Sequence, residues 1–152
     1  MAYTTAEGRQ QILDELGQAT DELGYAFAAL GEAYEQLDEQ TGDKLEEELY
    51  RPVQGAYGRA RRTHSEFAER SGLTGRTFEA ATPSVPSSGA RGFIDEAVEA
   101  IGAADAMLAE LQDSMLPVEV GDPELRAGLS EVREHAADMS RRARDLVRTL
   151  GR

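Results

Sequence analysis

The apolar residues of this chain recur at alternating steps of four and three, the repeat of a helix that packs along one seam. The chain is 152 residues long and contains no Trp, five Tyr and four Phe. A β-sheet would require more β-branched and aromatic residues. We therefore predict an all-α chain. The seam of the first segment consists of Ile12, Leu16, Ala19, Leu23, Ala26, Leu30, Ala33 and Leu37.

Start and stop signals divide the chain into four helices, predicted over about 5–39, 44–71, 89–116 and 123–151. Gln40-Thr41-Gly42 is expected to end the first helix, and Asp43 to cap the second. Ser71-Gly72-Leu73 resembles a Schellman ending of the second helix. Pro52 lies inside that helix and predicts a kink or a broken first turn.

The other two helices have their own signals. Pro117 is expected to stop the third helix, and Asp122-Pro123 is a strong start signal for the fourth. Residues 74–88 are rich in Pro, Ser, Thr and Gly, which predicts a loop joining two halves of the chain.

The seams also predict how the helices pair, because facing residues in an antiparallel pair have numbers with a constant sum. Facing residues of the third and fourth seams have numbers that add to 240, which places Ala104 opposite Ala136. Facing residues of the first and second seams have numbers that add to 86. We therefore predict two antiparallel αα-hairpins joined by the loop. Each would leave apolar surface exposed, so they should dock into a single four-helix bundle spanning 1–152. The order of the helices around the bundle stays open.

Charge is segregated along the chain, whose net charge is −13. Residues 6–40 carry a net charge of −8 and 89–116 carry −5, while 43–71 and 117–152 balance. Acidic helices are therefore expected beside arginine-bearing ones, with Asp105 facing Arg133. The negative charge argues against nucleic-acid and anionic-membrane partners, and the arginine clusters are expected to pair with the acidic helices.

The N-terminal residues lack the basic start and apolar run of a signal peptide. The longest uncharged stretch of the first helix, 23–31, is too short to span a bilayer. We expect a cytoplasmic protein, although a leaderless secreted protein would have the same sequence features.

Three glycines recur every seven residues along the first helix: Gly17, Gly24 and Gly31. Each should destabilise a helix interior by about 0.5–1 kcal/mol relative to Ala, so something is expected to lie close against this glycine line. The sequence favours tight packing inside the bundle. The alternative is an interaction face for a second copy or a partner helix.

A second row follows the edge of the predicted first hairpin. We call its members the aromatic edge: Phe27, Tyr34, Tyr50, Tyr57 and His64. In the predicted register Tyr34 meets Tyr50, Phe27 meets Tyr57, and Thr20 meets His64. Packing that seals the hairpin is the favoured interpretation. The alternative is a pocket for a planar small molecule.

Residues for metal or catalytic chemistry are few. Cys is absent, and neither His64 nor His135 follows a Glu by three residues, as a ferritin-type di-iron site requires. No phosphate-binding loop, nucleophile elbow or His-Glu-x-x-His motif occurs. We therefore predict no catalytic, cofactor-binding or metal-binding residue.

These patterns favour a non-enzymatic helical-bundle protein that acts through protein–protein interaction or self-association. The alternative is a small-molecule binding or sensing bundle, with its pocket between the first two helices. The sequence leaves the partner, the oligomeric state and any ligand undetermined.

Overall fold

The computed structural model describes residues 5–80, 83 and 89–150, and all their regular secondary structure is helical. The prediction of an all-α chain is confirmed for these residues. The elements are α1 (Thr5–Glu35), α2 (Glu39–Leu45), a π-helical turn (Glu46–Tyr50), α3 (Arg51–Ser71), α4 (Gly89–Asp113), α5 (Leu116–Val120) and α6 (Pro123–Leu150).

The break after the first helix lies earlier than predicted. α1 ends at Glu35, and Asp38 is the cap of α2, because its side chain accepts a 2.8 Å hydrogen bond from the Thr41 backbone N–H. The predictions that 40–42 break the chain and that Asp43 is the cap are wrong. Gly42 lies inside α2 beneath the Tyr34 ring, where a Cβ on this glycine would stand 3.5 Å from Cε2 of Tyr34.

Pro52 is accommodated by the π-helical turn that precedes it. The Arg51 N–H bonds to the carbonyl of Glu46, five residues back instead of four. Pro52 then lies in the first turn of α3, where proline, which has no backbone N–H, is tolerated. The predicted disruption is therefore a single wide turn, and the chain stays helical from 39 to 71.

The Schellman ending is present at the end of α3. Leu73 N–H bonds to the Ala68 carbonyl at 2.9 Å, Gly72 N–H bonds to the Glu69 carbonyl at 3.2 Å, and Gly72 has a φ of 68°. This pair of hydrogen bonds, with glycine in the left-handed region, is the Schellman pattern. Residues 73–80 then continue without regular secondary structure.

The junction between α4 and α6 also differs from the prediction. α4 ends at Asp113 and not at 116, and a short helix, α5, occupies most of the predicted turn. The predicted sum of 240 places Met115 opposite Leu125 in the core, but Met115 has a φ of 68° and is 52% exposed, so this part of the prediction is wrong. Asp122 accepts a 2.9 Å hydrogen bond from the Leu125 N–H, which confirms it as the cap of α6.

The four long helices contact one another in a closed order. α1 packs against α3 and α4, and α6 packs against the same two helices. Arg133 lies 3.7 Å from Asp105, the residue that the sequence expects it to face. The seams meet in one continuous core that includes Leu16, Phe67 and Ile101. No described helix is both long enough and apolar enough to cross a membrane.

The most extensive helix contact joins α1 to α4, the two acidic helices. The expectation that acidic helices lie beside arginine-bearing ones is therefore only half correct. Apolar burial explains the difference, since Leu16, Leu23 and Ile101 are all fully buried. Burying each such side chain is worth about 1.5–3 kcal/mol, whereas an exposed charge pair is worth less than about 1 kcal/mol.

Candidate functional site

The glycine line is the surface on which most of the aromatic edge lies. A Cβ on Gly17 would stand 3.6 Å from Nε2 of His64, one on Gly24 would stand 3.0 Å from Cε1 of Tyr57, and one on Gly31 would stand 3.7 Å from Cε2 of Tyr50. Each glycine thus has one side chain of α3, or of the π-helical turn that precedes α3, packed against it. The contact is tight at Gly24 and of ordinary van der Waals distance at Gly17 and Gly31.

This arrangement changes the meaning of both predicted sites. The glycine line, proposed as a face for another chain, is covered by this chain's own side chains. Tyr57 is 5% exposed and His64 is 3% exposed, so these side chains fill the space that a partner helix would need. The two rows that the sequence presents separately form a single internal contact.

The aromatic edge is packed over part of its length. The Phe27 ring lies 4.9 Å from the Tyr50 ring and 6.0 Å from the Tyr57 ring, measured between centroids. The Arg61 guanidinium lies 4.4 Å from the centroid of the Tyr57 ring. Tyr34 is 40% exposed and its ring lies against Gly42, whereas Tyr50, its predicted partner, packs against Phe27.

His64 occupies the other end of this edge, in a buried corner between α1 and α3. Its imidazole contacts the Phe78 ring edge-on, with 4.9 Å between centroids. Its Nδ1 atom is buried and has no hydrogen-bond partner. Burial and the nearby Arg76 lower the pKa of His64, although a hydrogen bond to the Leu13 backbone and the carboxylates of Asp14 and Asp21 act in the opposite direction.

Residues 72–80, which we call the strap, cross this corner. The strap residue Arg76 donates from Nη2 to the Gly17 carbonyl at 3.0 Å and to Asp21 Oδ2 at 2.6 Å. Its guanidinium also lies 4.0 Å from the centroid of the Phe78 ring. A Cβ on Gly17 would stand 3.5 Å from Nε of Arg76, an ordinary contact distance, so the guanidinium lies directly beside the backbone of α1 at this residue.

Beside His64 the surface forms an open groove of about 380 Å³, which we call the corner groove. It lies where the strap, α1 and α3 meet. Its wall combines amide, hydroxyl, carboxylate and guanidinium groups with one imidazole. The lining residues are Gln10, Leu13, Asp14, Gly17, Gln18, His64, Thr74 and Arg76. The sequence indicated Gly17 and His64, but it offered no reason to include Arg76 or Phe78.

A second groove, of about 500 Å³, runs between α1 and α4. We call it the acidic groove, and its carboxylates are Asp21, Glu22, Glu96 and Glu99. Burial, followed by the charges of Asp21 and Glu99, raises the pKa of Glu22. Farther along the same interface, burial and the charge of Glu110 raise the pKa of Glu15. Like charges therefore face each other across this helix pair.

The closed order of the helices separates charge across the molecule. α1 carries seven carboxylates and one arginine, and α4 carries six carboxylates and one arginine. The two helices together have a net charge of −11. α3 carries five arginines and two carboxylates, and α6 carries six arginines and five carboxylates. These two helices together have a net charge of +4. Since α1 lies beside α4 and α3 beside α6, one side of the molecule is strongly acidic.

The arginine-bearing pair is joined by ion pairs between its helices. Arg59 Nε donates to Glu131 at 2.7 Å. Arg70 donates to both carboxylate oxygens of Asp122, at 2.9 and 3.0 Å, and lies 3.0 Å from Glu124. Arg59 and Arg70 of α3 therefore pair with carboxylates of α6 and its cap, whereas the sequence predicts that the arginine clusters pair with the acidic helices.

No group of three or more His, Asp or Glu side chains among the described residues is placed to hold a metal ion. His135 is exposed on α6, far along the sequence from the buried His64. Comparisons with protein-family models, with curated proteins and with solved structures give no match to this chain.

Proposed function

We propose that this protein is a non-enzymatic four-helix bundle of two antiparallel hairpins, which acts by docking its acidic side onto a positively charged protein surface. The observation that supports this proposal is the separation of charge: α1 and α4 together have a net charge of −11, whereas α3 and α6 together have a net charge of +4. Apolar burial stabilises the contact between α1 and α4, but bringing their carboxylates together adds no folding stability. Burial, followed by the charges of Asp21 on the same helix and Glu99 on α4, raises the pKa of Glu22, so ionisation of this carboxyl group is disfavoured in the groove.

Such an arrangement suits attraction of a partner. A concentrated patch of one sign steers an oppositely charged protein toward it and accelerates association. Partly buried carboxylates would also recover favourable interactions when arginine or lysine side chains enter the groove. Self-association is the less favoured form of the proposal, because copies with a charge of −13 repel each other at long range.

The test compares three immobilised forms of the full chain. The first is the wild type, and the second replaces the acidic-groove carboxylates as Asp21→Asn, Glu22→Gln, Glu96→Gln and Glu99→Gln. The matched control removes four exposed charges elsewhere, as Glu39→Gln, Glu47→Gln, Glu119→Gln and Glu134→Gln. Proteins retained from an extract of the source cells are identified and eluted with increasing NaCl.

We expect the wild type and the control to retain the same basic protein and the acidic-groove variant to lose it. Elution should require moderate salt, because charge-driven contacts are screened. Equal retention by all three forms contradicts the proposal, and so does retention of nothing. Light scattering across a concentration series identifies a second copy as the partner if the mass doubles for the wild type and the control but not for the acidic-groove variant.

The corner groove favours a second candidate function, binding of a polar small molecule. The supporting observation is a buried histidine beside an open space of about 380 Å³ with donors and acceptors on its wall. Ligand screening by amide NMR should then shift signals grouped at Gly17, His64 and Thr74. Shifts scattered over the surface, or none, contradict this candidate. The aromatic edge beyond His64 is packed and provides less support for a planar ligand.

A further inference from the structure

Beyond Leu73, which packs against the hydrophobic core, the strap contacts the helices through Arg76 and Phe78. Arg76 bonds to the Gly17 carbonyl and to Asp21 on α1, and Phe78 packs against His64 on α3. Phe78 is 9% exposed, whereas the residues on either side of it are exposed. The attachment is therefore local, and its centre is a titratable side chain.

The attached strap suits a neutral His64. A neutral imidazole has one N–H donor and one acceptor nitrogen, whereas an imidazolium has two N–H donors. Nδ1 is buried without a partner, so a proton placed there would form an N–H group with no acceptor. An unpaired buried charged donor is strongly unfavourable, whereas an unpaired neutral acceptor costs much less.

The charged groups around His64 act in both directions. The strap contributes Arg76, which repels an imidazolium, and α1 contributes Asp14 and Asp21, which attract it. Asp21 is already paired with Arg76 at 2.6 Å, and Asp14 accepts a 2.9 Å hydrogen bond from Gln10. Both carboxylates are therefore partly occupied. Burial of His64, followed by the charge of Arg76, outweighs them and the hydrogen bond to the Leu13 backbone, so the pKa of His64 is lowered.

We propose that the strap is a latch that His64 releases when it takes up a proton. In the latched state Phe78 and Arg76 cover the neutral imidazole. Protonation favours the state in which the strap has moved away, because water can then solvate the second N–H and Arg76 no longer faces the new charge. Release uncovers the corner between Gly17 and His64 and enlarges the corner groove.

The direction with pH follows from linkage. The pKa of His64 is lower in the latched state than in the released state, so the released state binds more protons. The latch is fully stable above the ordinary pKa of histidine, about 6.5, and loses stability as pH falls through the depressed value. Release therefore accompanies mild acidification, the range in which histidine commonly acts as a switch.

A spin label tests the latch in the full chain. The chain has no Cys, so a nitroxide on Thr77→Cys attaches at one exposed strap position. The electron paramagnetic resonance line shape reports the mobility of the strap from about pH 7.5 to pH 5. We expect the mobile fraction to rise at least about threefold on acidification. NMR of the imidazole signals measures the titration of His64 in parallel, and circular dichroism monitors helix content.

Three further variants in the same labelled background separate the latch from other acid effects. His64→Gln should remove the pH-dependent step, and Arg76→Gln should increase the mobile fraction at every pH. His135→Gln is the matched control, because His135 is exposed on α6, and it should retain the wild-type step. The proposal is overturned if the line shape stays constant while His64 titrates with the helices intact. A full step in the His64→Gln variant overturns it equally.

Discussion

The ring of Tyr57 lies so close to the backbone of α1 that a Cβ on Gly24 would stand 3.0 Å from Cε1 and 3.1 Å from Cζ. Gly31, one heptad away, has its nearest neighbour at 3.7 Å, an ordinary contact with Tyr50. The two glycines are equivalent in sequence spacing and different in the space above them. Only Gly24 is required by packing.

This difference predicts opposite effects for the same substitution. Gly31→Ala should stabilise the protein by about 0.5–1 kcal/mol, because alanine is the better helix former and has room. Gly24→Ala gains the same propensity but displaces a buried ring, an overpacking cost of roughly 1–3 kcal/mol. It should therefore be neutral or destabilising. Urea unfolding followed by circular dichroism measures both variants, and equal stabilisation by the two would contradict the packing described.

A second close crossing joins α3 to α6. A Cβ on Gly128 would stand 2.5 Å from Oγ1 and 2.7 Å from Cγ2 of Thr63, whose hydroxyl bonds to the Arg59 carbonyl. Gly128→Ala should destabilise the fold by about 1–3 kcal/mol. In a Thr63→Ala background the clash is relieved, so the destabilisation caused by Gly128→Ala should be smaller by at least about 1 kcal/mol. A double-mutant cycle from urea unfolding tests this coupling, and additive effects would show that the helices do not meet at this pair.

The contact between α1 and α4 predicts a carboxylate whose removal stabilises the protein. Burial and neighbouring charges raise the folded pKa of Glu22 above its unfolded value. The favourable contribution of the neutral Glu22 side chain to folding stability is present below the unfolded pKa and is lost as pH rises through the folded pKa. At about pH 7 the ionised group is therefore destabilising. Glu22→Gln should then raise the melting temperature and stabilise by roughly 0.2–1 kcal/mol, a figure discounted for partial exposure.

Salt and position provide the controls for that prediction. The gain from Glu22→Gln should shrink in about 0.5 M NaCl, because screening already weakens the repulsion. Glu32→Gln removes an exposed carboxylate from the same helix and should have a smaller effect. A gain that is unchanged by salt, or is matched by Glu32→Gln, would rule out repulsion across the α1–α4 contact.

Asp122 has two functions that substitution can separate. It caps α6 through the Leu125 N–H, and it pairs with Arg70 of α3. Partial burial favours its neutral form, but the hydrogen bond from Arg70 and those from backbone N–H groups outweigh this and lower its pKa. Its stability contribution is therefore present above the unfolded pKa, about 3.9, and is lost as pH falls below it.

Asp122→Ala removes both interactions and should cost at least about 1 kcal/mol at neutral pH. Asp122→Asn keeps a capping side chain and loses the charge, so it should cost less than the alanine variant. Thermal unfolding at about pH 7 and pH 3 measures each contribution. The difference between wild type and Asp122→Asn should narrow at the lower pH, and a constant difference would contradict the ion pair with Arg70.

The limits of sequence inference are clear at particular residues. The seam predicted the buried positions well, because a heptad repeat fixes which face of a helix is apolar, and Leu16, Ala104 and Ala136 are fully buried. The capping residue of α2 was missed, because Asp38 and Asp43 are chemically equivalent candidates and only backbone geometry distinguishes them. Arg76 and Phe78 were missed, because a loop has no periodicity that assigns its side chains to a surface.

The sequence by itself determined that the chain is helical, which faces of its segments are apolar, and that a glycine line and an aromatic edge run along its first two predicted helices. These depend on spacing along a single chain, which the geometry of the helix converts directly into faces. The tertiary structure decided that the two rows meet each other, that the acidic helices lie side by side and that the strap crosses His64. Such relations depend on the rotation and order of packed helices and on the course of a loop, which sequence spacing leaves free.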